Sequence, residues 1–496
     1  MTKRRIWVVG WLAAMLGLAF AVRTLSLEAQ SLWRDEVDSL RFALAPWPEM
    51  FARFTRPGWN GPFYFLVLRG WIALTGESAF ALRYLSTLCG VVGLALLYSL
   101  GRRLFRRQVA YWTLILAAFS PYLVWYAQEV RMYTWVPALV LVALYAVDRL
   151  CRDGRWPWWI VVFGAALLAV YSHILAALLL PVAAVWFLLR RRRSRDQMAL
   201  WIAGLVVVIL LAVFYRPLAE WQFDLVFQER ETGYASRTLW EMGRILLGGW
   251  SAGIAGWGWA GLTWGLTALA LVGAAGLALR RRFPRLIALL VWLVGPLLAV
   301  WFVSLHGPIF TDRYFIWSAP AFYLLVGAGL DQLGRWFGRS LGTSQRYLPL
   351  VLLIIILRAD GANLHQQVVQ PIKPQFRAAT HYLLTHRSED ALLLFQIPYN
   401  QIVVDYYAPE PLAPWAEAPF TNHRDPDSGA YLVQEEDVAA QMQTLTAGHA
   451  EVWLIYAEAG MWDARELVKS WLMVHGVLVE TRRFHLVDLY HFRLPP

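Results

Sequence analysis

Long apolar runs separated by short basic clusters dominate the first 358 residues. Runs of about 20 apolar residues, the length that crosses a bilayer, recur from Trp7 to Leu357. This pattern predicts helices over residues 6–26, 80–100, 109–127, 131–149, 156–172, 173–189, 197–215, 256–279, 286–305, 313–333 and 347–358. We therefore expect a mainly α, polytopic membrane protein with about eleven transmembrane helices.

The basic clusters predict how the chain is oriented. They lie at residues 3–5, 102–107, 149–155, 190–195, 280–285 and 335–346. Because Lys and Arg accumulate on the cytoplasmic side, we expect the N terminus inside and, with an odd number of spans, the C terminus outside. The first apolar run has no clear small-residue cleavage site, so an uncleaved helix is expected rather than a signal peptide.

The apolar segment Pro62–Leu74 does not fit this alternation. It is short for a crossing, carries Arg69 in its middle, and as a span would place the 102–107 cluster outside. We interpret it as an amphipathic helix at the outer surface. Residues 27–79 then form one long outer loop, and residues 216–255 form a second. Together with the spans they make a catalytic domain over residues 1–358.

The pattern changes after Leu357. Short apolar strands are predicted at residues 391–397, 452–456, 477–480 and 486–492, and they alternate with periodic helices at 373–385 and 464–474. Residues 359–496 therefore predict a soluble extracytoplasmic α/β domain of ordinary size. The segment contains no phosphate-binding glycine motif and no nucleophile elbow, so we assign it no chemistry of its own.

Composition and charge agree with a membrane protein. Hydrophobic residues make up 58% of the 496 residues and charged residues 16%, with a net charge of +11. Residues 360–496 carry a net charge of −8 and the remainder +19, so the basic excess marks membrane topology and gives no reason to expect nucleic acid. Cys89 and Cys151 both lie in or beside apolar segments, which indicates neither a disulfide framework nor a zinc site.

The first loop holds an acidic island between two apolar segments. The segment 31–44 contains five charged side chains: Arg34, Asp35, Glu36, Asp38 and Arg41. Carboxylates next to hydrocarbon are costly, and anchoring alone does not need them. We therefore expect the chemistry here, with Asp35 as the first candidate and Glu36 beside it.

Further ionisable side chains fall at predicted outer helix ends. Glu129 and Arg131 lie at a tight turn after a span that Pro121 kinks. An ion pair pinning the hairpin is one explanation. The other is that Glu129 orients a substrate or a divalent cation, for which Asp35 and Glu129 are the candidate ligands.

A histidine and two more arginines complete the candidates. His173 at another outer turn is either a hydrogen-bonded structural residue or a substrate contact. Arg313 and Arg83, like Arg131, are candidates for binding a donor phosphate because guanidinium donors match phosphate oxygens in pairs. Either Arg83 or Arg313 could instead extend to the lipid headgroups.

Several motifs in order resemble a known family. They are LWRDE, NGPFYFLVLRGWIALTGESAFALRYLS, GRRLFRR, SPYLVWYAQEVRMY, YSH and RYFIWSAP, and they cover most of residues 6–333. The chain resembles bacterial family-39 glycosyltransferases, relatives of the protein O-mannosyltransferases and of the lipid A aminoarabinose transferase. These enzymes share the GT-C architecture, a multi-span membrane enzyme with its site at the outer face.

The resemblance implies roles for particular residues. The family's first-loop acidic pair matches Asp35 and Glu36, with Asp35 as the general base that deprotonates the acceptor hydroxyl. Glu129 stands where relatives place a second acidic residue that contacts acceptor or metal. Where some relatives carry a basic or histidine residue before the proline of the interfacial helix, this chain has Gly61. Nothing resembles the β-trefoil domain of the protein-mannosylating relatives, which lowers the expectation of a protein acceptor.

The implied reaction moves a sugar, hexosyl or pentosyl, from a polyprenyl-phosphate donor to a lipid, glycan or protein acceptor. It would occur at the outer face of the bacterial cytoplasmic membrane, and a single base implies inversion at the anomeric carbon. No cofactor is required, although the two carboxylates permit a divalent cation. The rival interpretation is a lipid or glycan transporter or flippase, which should show inverted repeats and charges near the midplane. No convincing repeat is detected.

Overall fold

The computed structural model describes residues 3–54, 61–190, 234–255, 260–340, 347–425 and 428–495, with the isolated positions 202 and 204. Over these residues the chain is mainly helical, with one small sheet near its C-terminal end. It divides into two compact units. We call Met1–Leu27 with Phe42–Gln367 the helical unit, and Glu28–Arg41 with Val368–Pro496 the sheet unit.

The helical unit contains almost all of the long helices. The helices from the N terminus onwards are α1 Lys3–Thr24, α2 Arg34–Leu44, α3 Trp47–Phe54, α4 Pro62–Thr75, α5 Ala79–Leu104, α6 Arg107–Phe119, α7 Pro121–Ala127, α8 Trp135–Asp153, α9 Pro157–Val170, α10 Leu179–Arg190, α11 Leu239–Ala252, α12 Ala260–Leu279, α13 Phe283–Val303, α14 Ala319–Ser340 and α15 Leu348–Val369. Helix α2 begins in the sheet unit and ends in the helical unit.

Five of the described helices are long and apolar enough to cross a membrane, which makes the chain a membrane protein. They are α1 from Ile6, α5, α12, α13 and α15, and the bent pair α6 and α7 adds a sixth. The predicted crossings at 131–149 and 313–333 coincide with α8 and α14, whose charged ends lower their hydropathy, and α9 and α10 are shorter than a span. The predicted helix 197–215, apart from positions 202 and 204, and residues 216–233 of the predicted loop 216–255 lie outside the described residues.

The predicted single helix 109–127 is two helices. The axes of α6 and α7 differ by 58°. Ser120 separates them and caps α7, since its Oγ accepts a hydrogen bond from the Leu123 N–H at 3.2 Å. Pro121 occupies the first position of α7, where its missing N–H costs nothing. The kink expected at Pro121 is therefore a complete break.

The segment predicted as an interfacial helix is helix α4. It ends at Gly76, whose φ of 81° lies in the left-handed region that favours glycine. The Arg69 side chain donates hydrogen bonds to the carbonyl oxygens of Ala43 and Ala45 at 3.1 and 2.7 Å, and its guanidinium lies 4.3 Å from the Trp47 ring centroid. The charge in the middle of α4 therefore ties α4 to the end of α2 and the start of α3.

Gly61, at the start of α4, is required by a close approach of two backbone segments. The Phe63 N–H donates to the Tyr171 carbonyl at 3.0 Å, and a Cβ on Gly61 would lie 2.1 Å from the same oxygen. No side chain fits there without moving one of the two segments. This is a physical reason why the chain carries glycine where some relatives carry a basic residue or histidine.

We expect Gly61→Ala to lower the thermal midpoint of the purified protein by several degrees, because the added methyl must separate the start of α4 from Tyr171. The matched control is Gly70→Ala within α4, where nothing lies within 4 Å of the added Cβ. That variant should leave the midpoint unchanged or raise it slightly. Equal midpoints for both variants would contradict the close approach.

The sheet unit holds a five-stranded sheet in the order β2-β1-β3-β5-β4. Strands β1 and β2 and strands β1 and β3 pair in parallel, whereas β5 pairs antiparallel with β3 and β4. Buried side chains such as Leu394, Leu454 and Phe492 form its core with the flanking helices. The elements are α16 Phe376–His386, β1 Leu392–Phe395, α17 Gln401–Tyr407, β2 Trp415–Glu417, α18 Glu435–Thr446, β3 Glu451–Tyr456, α19 Leu467–His475, β4 Val477–Phe484 and β5 Val487–Arg493.

The boundary between the two compact units does not coincide with the change in composition after Leu357. Helix α15 runs from Leu348 to Val369 and passes through the expected boundary between residues 358 and 359 without interruption. The sheet unit also includes Glu28–Arg41, more than 300 residues earlier in the chain. All five charged residues of the acidic island therefore belong to the sheet unit, although the hydropathy pattern groups them with the membrane segments.

Candidate functional site

The acidic island forms the first turn of α2. Asp35 and Glu36 lie in this turn, where the positive end of the helix dipole stabilises carboxylates. The Asp35 side chain is 17% exposed, and its Oδ1 lies 4.0 Å from Arg34 Nε. Arg34 in turn forms an ion pair with Glu458 at 3.3 Å. The Asp35 carboxylate therefore lies beside a guanidinium and remains partly exposed to solvent.

Glu36 has a different environment from its neighbour. Its side chain is fully buried, and the Lys373 Nζ donates to its Oε2 at 2.9 Å. The Lys373 side chain is itself only 6% exposed. Because this ion pair withdraws the Glu36 carboxylate from solvent, the geometry favours a positioning role for Glu36 and leaves Asp35 as the accessible acid.

In the helical unit, two of the predicted phosphate ligands come together around one tyrosine. The guanidinium carbons of Arg131 and Arg313 each lie 5.9 Å from the ring centroid of Tyr133. Arg131 follows α7, and Arg313 lies in the 3₁₀ turn Asp312–Phe315 that leads into α14. Two guanidinium groups about a buried aromatic ring are a suitable arrangement for a phosphate, which they can bind through paired donors.

His173 lies in the same neighbourhood and is neutral. It connects α9 to the short 3₁₀ turn Ile174–Leu178, and its ring stacks at a tilt on Tyr314, with centroids 4.7 Å apart. Burial, followed by repulsion from Arg131 and Arg313, lowers the pKa of His173 to about 3. The imidazole therefore acts as a hydrogen-bonding group or neutral ligand and adds no positive charge.

Asp312 is a site residue that the sequence did not single out. Its backbone carbonyl accepts from Tyr122 Oη at 2.9 Å, and its Oδ2 accepts from Tyr126 Oη at 3.0 Å. Burial raises the pKa of the Asp312 carboxyl, partly offset by the Tyr126 hydrogen bond and by Arg313. The i, i+4 spacing of Tyr122 and Tyr126, which puts both hydroxyls on one helix face, was the available sequence signal.

The tyrosines join these groups into one cluster. The ring of Tyr126 lies 5.4 Å from that of Tyr133, and the Tyr314 hydroxyl lies 3.1 Å from that of Tyr234. We call Tyr126, Tyr133, Tyr314, Asp312, Arg131, Arg313 and His173 the tyrosine–arginine cluster. It combines two fixed cations, a buried acid and a neutral imidazole, which suits the binding of an anion next to a polar group.

Glu129 and Arg83 are the two remaining candidates in the helical unit, and Glu129 lies close enough to Tyr126 of the cluster to interact with it electrostatically. Glu129 lies in the turn after α7 and is 3% exposed. Arg83, in the first half of α5, is 1% exposed and donates through Nη1 to the carbonyl of Leu27 at 2.5 Å. Arg83 thus holds the chain at Leu27, where the first segment of the helical unit ends, a structural task in addition to the phosphate role that the sequence suggested.

Among the described residues, no group of three or more His, Cys, Asp and Glu side chains is arranged to hold a metal ion. Of the predicted site residues, the structure brings Arg131, Arg313 and His173 together, with Glu129 near Tyr126 of the same cluster. Asp35 and Glu36 belong to the sheet unit.

The fold places the chain in a structural class. Solved structures that match over almost the whole chain are GT-C glycosyltransferases, so the chain has the GT-C fold that the sequence resemblance implied. A family model described as dolichyl-phosphate-mannose-protein mannosyltransferase matches residues 57–215. No curated protein sequence matches the chain.

Three solved structures illustrate the similarity. ArnT from Cupriavidus metallidurans in the apo state aligns with a TM-score of 0.60 and 16% identity, covering 98% of both chains. The same protein bound to undecaprenyl phosphate aligns with a TM-score of 0.58 and 15% identity, covering 97% of this chain and 98% of the ArnT chain. The oligosaccharyltransferase AglB from Archaeoglobus fulgidus, in complex with an inhibitory peptide and a dolichol-phosphate, aligns with a TM-score of 0.58 and 12% identity. The alignment covers 99% of this chain and 74% of the AglB chain.

The lowered pKa of His173 has a consequence for stability. Between pH 6.5, its ordinary pKa, and about 3 the folded state binds fewer protons than the unfolded state. The contribution of His173 to the free energy of unfolding is therefore fully present above about pH 6.5 and falls as the pH decreases, by about 2 kcal/mol at pH 5.

We expect His173→Gln to remove this part of the loss of stability at acidic pH. The measurement is the thermal midpoint of unfolding between pH 5 and 8. The control is His306→Gln, at an exposed position. Parallel curves of midpoint against pH for His173→Gln and wild type would contradict the role of His173 in acid destabilisation.

Proposed function

We propose that the chain is a membrane glycosyltransferase that transfers one sugar from a polyprenyl-phosphate donor to an acceptor hydroxyl. The observation that carries the proposal is the tyrosine–arginine cluster, where Arg131 and Arg313 lie at equal distance from the Tyr133 ring. The GT-C fold supports it, as do the matched structures, two of which contain undecaprenyl phosphate or a dolichol-phosphate. The transport alternative has no comparable observation in its favour.

The proposed reaction is a direct displacement. Asp35 takes the proton of the acceptor hydroxyl as its oxygen attacks the anomeric carbon, and the bond from that carbon to the phosphate oxygen breaks. Arg131 and Arg313 stabilise the charge on the departing polyprenyl phosphate. With one base and one displacement, the anomeric configuration inverts. Glu129 and His173 would contact the acceptor, and Asp35 and Glu129 are the groups that a divalent cation would use.

The proposed setting is the outer face of a bacterial cytoplasmic membrane. About eleven crossings, with the N terminus inside and the residues after Val369 outside, would give every basic cluster a cytoplasmic position. Single-cysteine labelling from each side of the membrane tests this topology. The donor would reach the site from the bilayer, because its polyprenyl chain is apolar and only its phosphate and sugar need polar contacts.

Asp35→Asn tests the proposed base. The amide keeps the size of the side chain and cannot accept a proton at neutral pH, so we expect transfer to fall by a factor of about 100 or more. The matched control is Asp38→Asn, one turn further along α2, which should retain activity within a few-fold. Both variants are compared with wild type by mass spectrometry of the product. Full activity in Asp35→Asn would remove Asp35 from the catalytic role.

Arg313→Ala tests the phosphate role of the cluster. Loss of a guanidinium that binds the donor phosphate should weaken donor binding by about tenfold, more than it slows turnover of bound donor. Arg335→Ala is the control, since Arg335 pairs with Asp331 near the other end of α14. Donor affinity is measured by titration of the purified protein. If it stays the same in Arg313→Ala, Arg313 does not bind the phosphate.

A further inference from the structure

The buried ion pair between Lys373 and Glu36 joins the acidic island to the C-terminal part of the chain. Lys373 and Glu36 are separated by 337 residues, and both side chains are almost completely buried. Burying two charges is costly unless their geometry is well fixed. A pair of this kind is therefore a strong orientational constraint on the first turn of α2.

Further hydrogen bonds hold the residues just before this turn. The Gln30 side chain accepts from the backbone N–H groups of Ile372 and Lys373 at 3.0 and 3.3 Å and donates to the Gln370 carbonyl at 2.8 Å. The Leu32 N–H donates to the Tyr407 hydroxyl at 2.5 Å. The segment that carries Asp35 is thus fixed by side chains and backbone of the sheet unit.

Because of the helix geometry, the attachment of Glu36 to Lys373 also determines the direction in which the Asp35 side chain points. Successive side chains on an α-helix point about 100° apart, so fixing Glu36 inward fixes the rotation of the turn and the direction of Asp35. The charged groups around the turn include Arg34 with Glu458, Lys373, Asp38, and Arg41 facing Asp405. Arg377 lies just before the turn, where its Nη1 donates to the Glu28 carbonyl at 3.2 Å. Of the ion pairs formed by Glu36 and Arg34, the one with Lys373 is the more buried.

We propose that Lys373 is a positioning residue for glycosyl transfer: through its ion pair with Glu36 it sets the direction of Asp35. The proposal rests on the proposed function of Asp35 as the base. It gives the C-terminal part of the chain a defined task in the reaction, although that part supplies no reacting group. It also assigns Glu36 to support rather than to chemistry.

The test compares Lys373→Met with Lys373→Arg. The methionine fills the space without a charge, so the turn loses its constraint and we expect kcat to fall by about 100-fold, as misplacement of a catalytic group by about 1 Å does. The KM for a polyprenyl-phosphate sugar should stay within twofold, because Lys373 does not contact the donor. Arginine keeps the charge and the donors and should restore most of kcat.

Hydrogen exchange supplies a second readout. In Lys373→Met the backbone amides of residues 30–40 should exchange faster than in wild type, while those of strands β1 and β3 stay protected. The matched control is Lys469→Met, which removes a partly exposed ion pair with Glu466 in the same unit. It should change neither kcat nor the exchange of residues 30–40.

The double variant Glu36→Gln with Lys373→Met covers the case in which the single variant does not fold. It leaves no uncompensated buried charge, so it should fold, and it should show the same loss of kcat. Wild-type kcat in either Lys373→Met or the double variant would overturn the positioning role. If Asp35→Asn is inactive while these variants are fully active, the proposed function stands and this inference falls. A fully active Asp35→Asn variant overturns both the role of Asp35 as the base and this inference, while the transferase activity itself stands.

Discussion

The cost of burying charge in a largely apolar chain governs the arrangement of this protein. Several buried or partly buried ionisable groups are matched by a specific partner: Lys373 by Glu36, Arg83 by the Leu27 carbonyl and Asp312 by the Tyr126 hydroxyl. Removing one partner of such a pair leaves the other group buried without its partner, which typically costs about 3–5 kcal/mol of stability for a buried ion pair. Polar contacts of this kind thus fix backbone segments where apolar packing alone would leave their orientation open.

The candidate acid and the candidate cations of the site belong to different compact units of the chain. The sheet unit carries the accessible acid, Asp35, on a turn that its own side chains hold in place. The helical unit carries the cations Arg131 and Arg313 around Tyr133, with His173 kept neutral by burial and by the same two arginines. In the proposed function, Asp35 would supply the base for the acceptor and the two arginines the cations for the leaving phosphate.

Hydropathy and charge predicted the mainly helical membrane character and the strands β1, β3, β4 and β5, because these depend on long or periodic patterns. The GT-C resemblance came instead from the order of short sequence motifs. They did not reveal the short, largely exposed strand β2, the uninterrupted course of α15 or the membership of residues 28–41 in the sheet unit. Those features depend on contacts between distant residues. Asp312 was passed over for the same reason, since its partners Tyr122 and Tyr126 lie about 190 residues earlier.

The most direct test of the central claim is a transfer assay with the purified protein, a panel of polyprenyl-phosphate sugars and candidate acceptors, analysed by mass and by the anomeric configuration of the product. The account predicts an acceptor heavier by one glycosyl unit, an inverted anomeric centre and one polyprenyl phosphate released per transfer. Movement of intact donor across the membrane, with no glycosylated acceptor for any sugar in the panel, would contradict it.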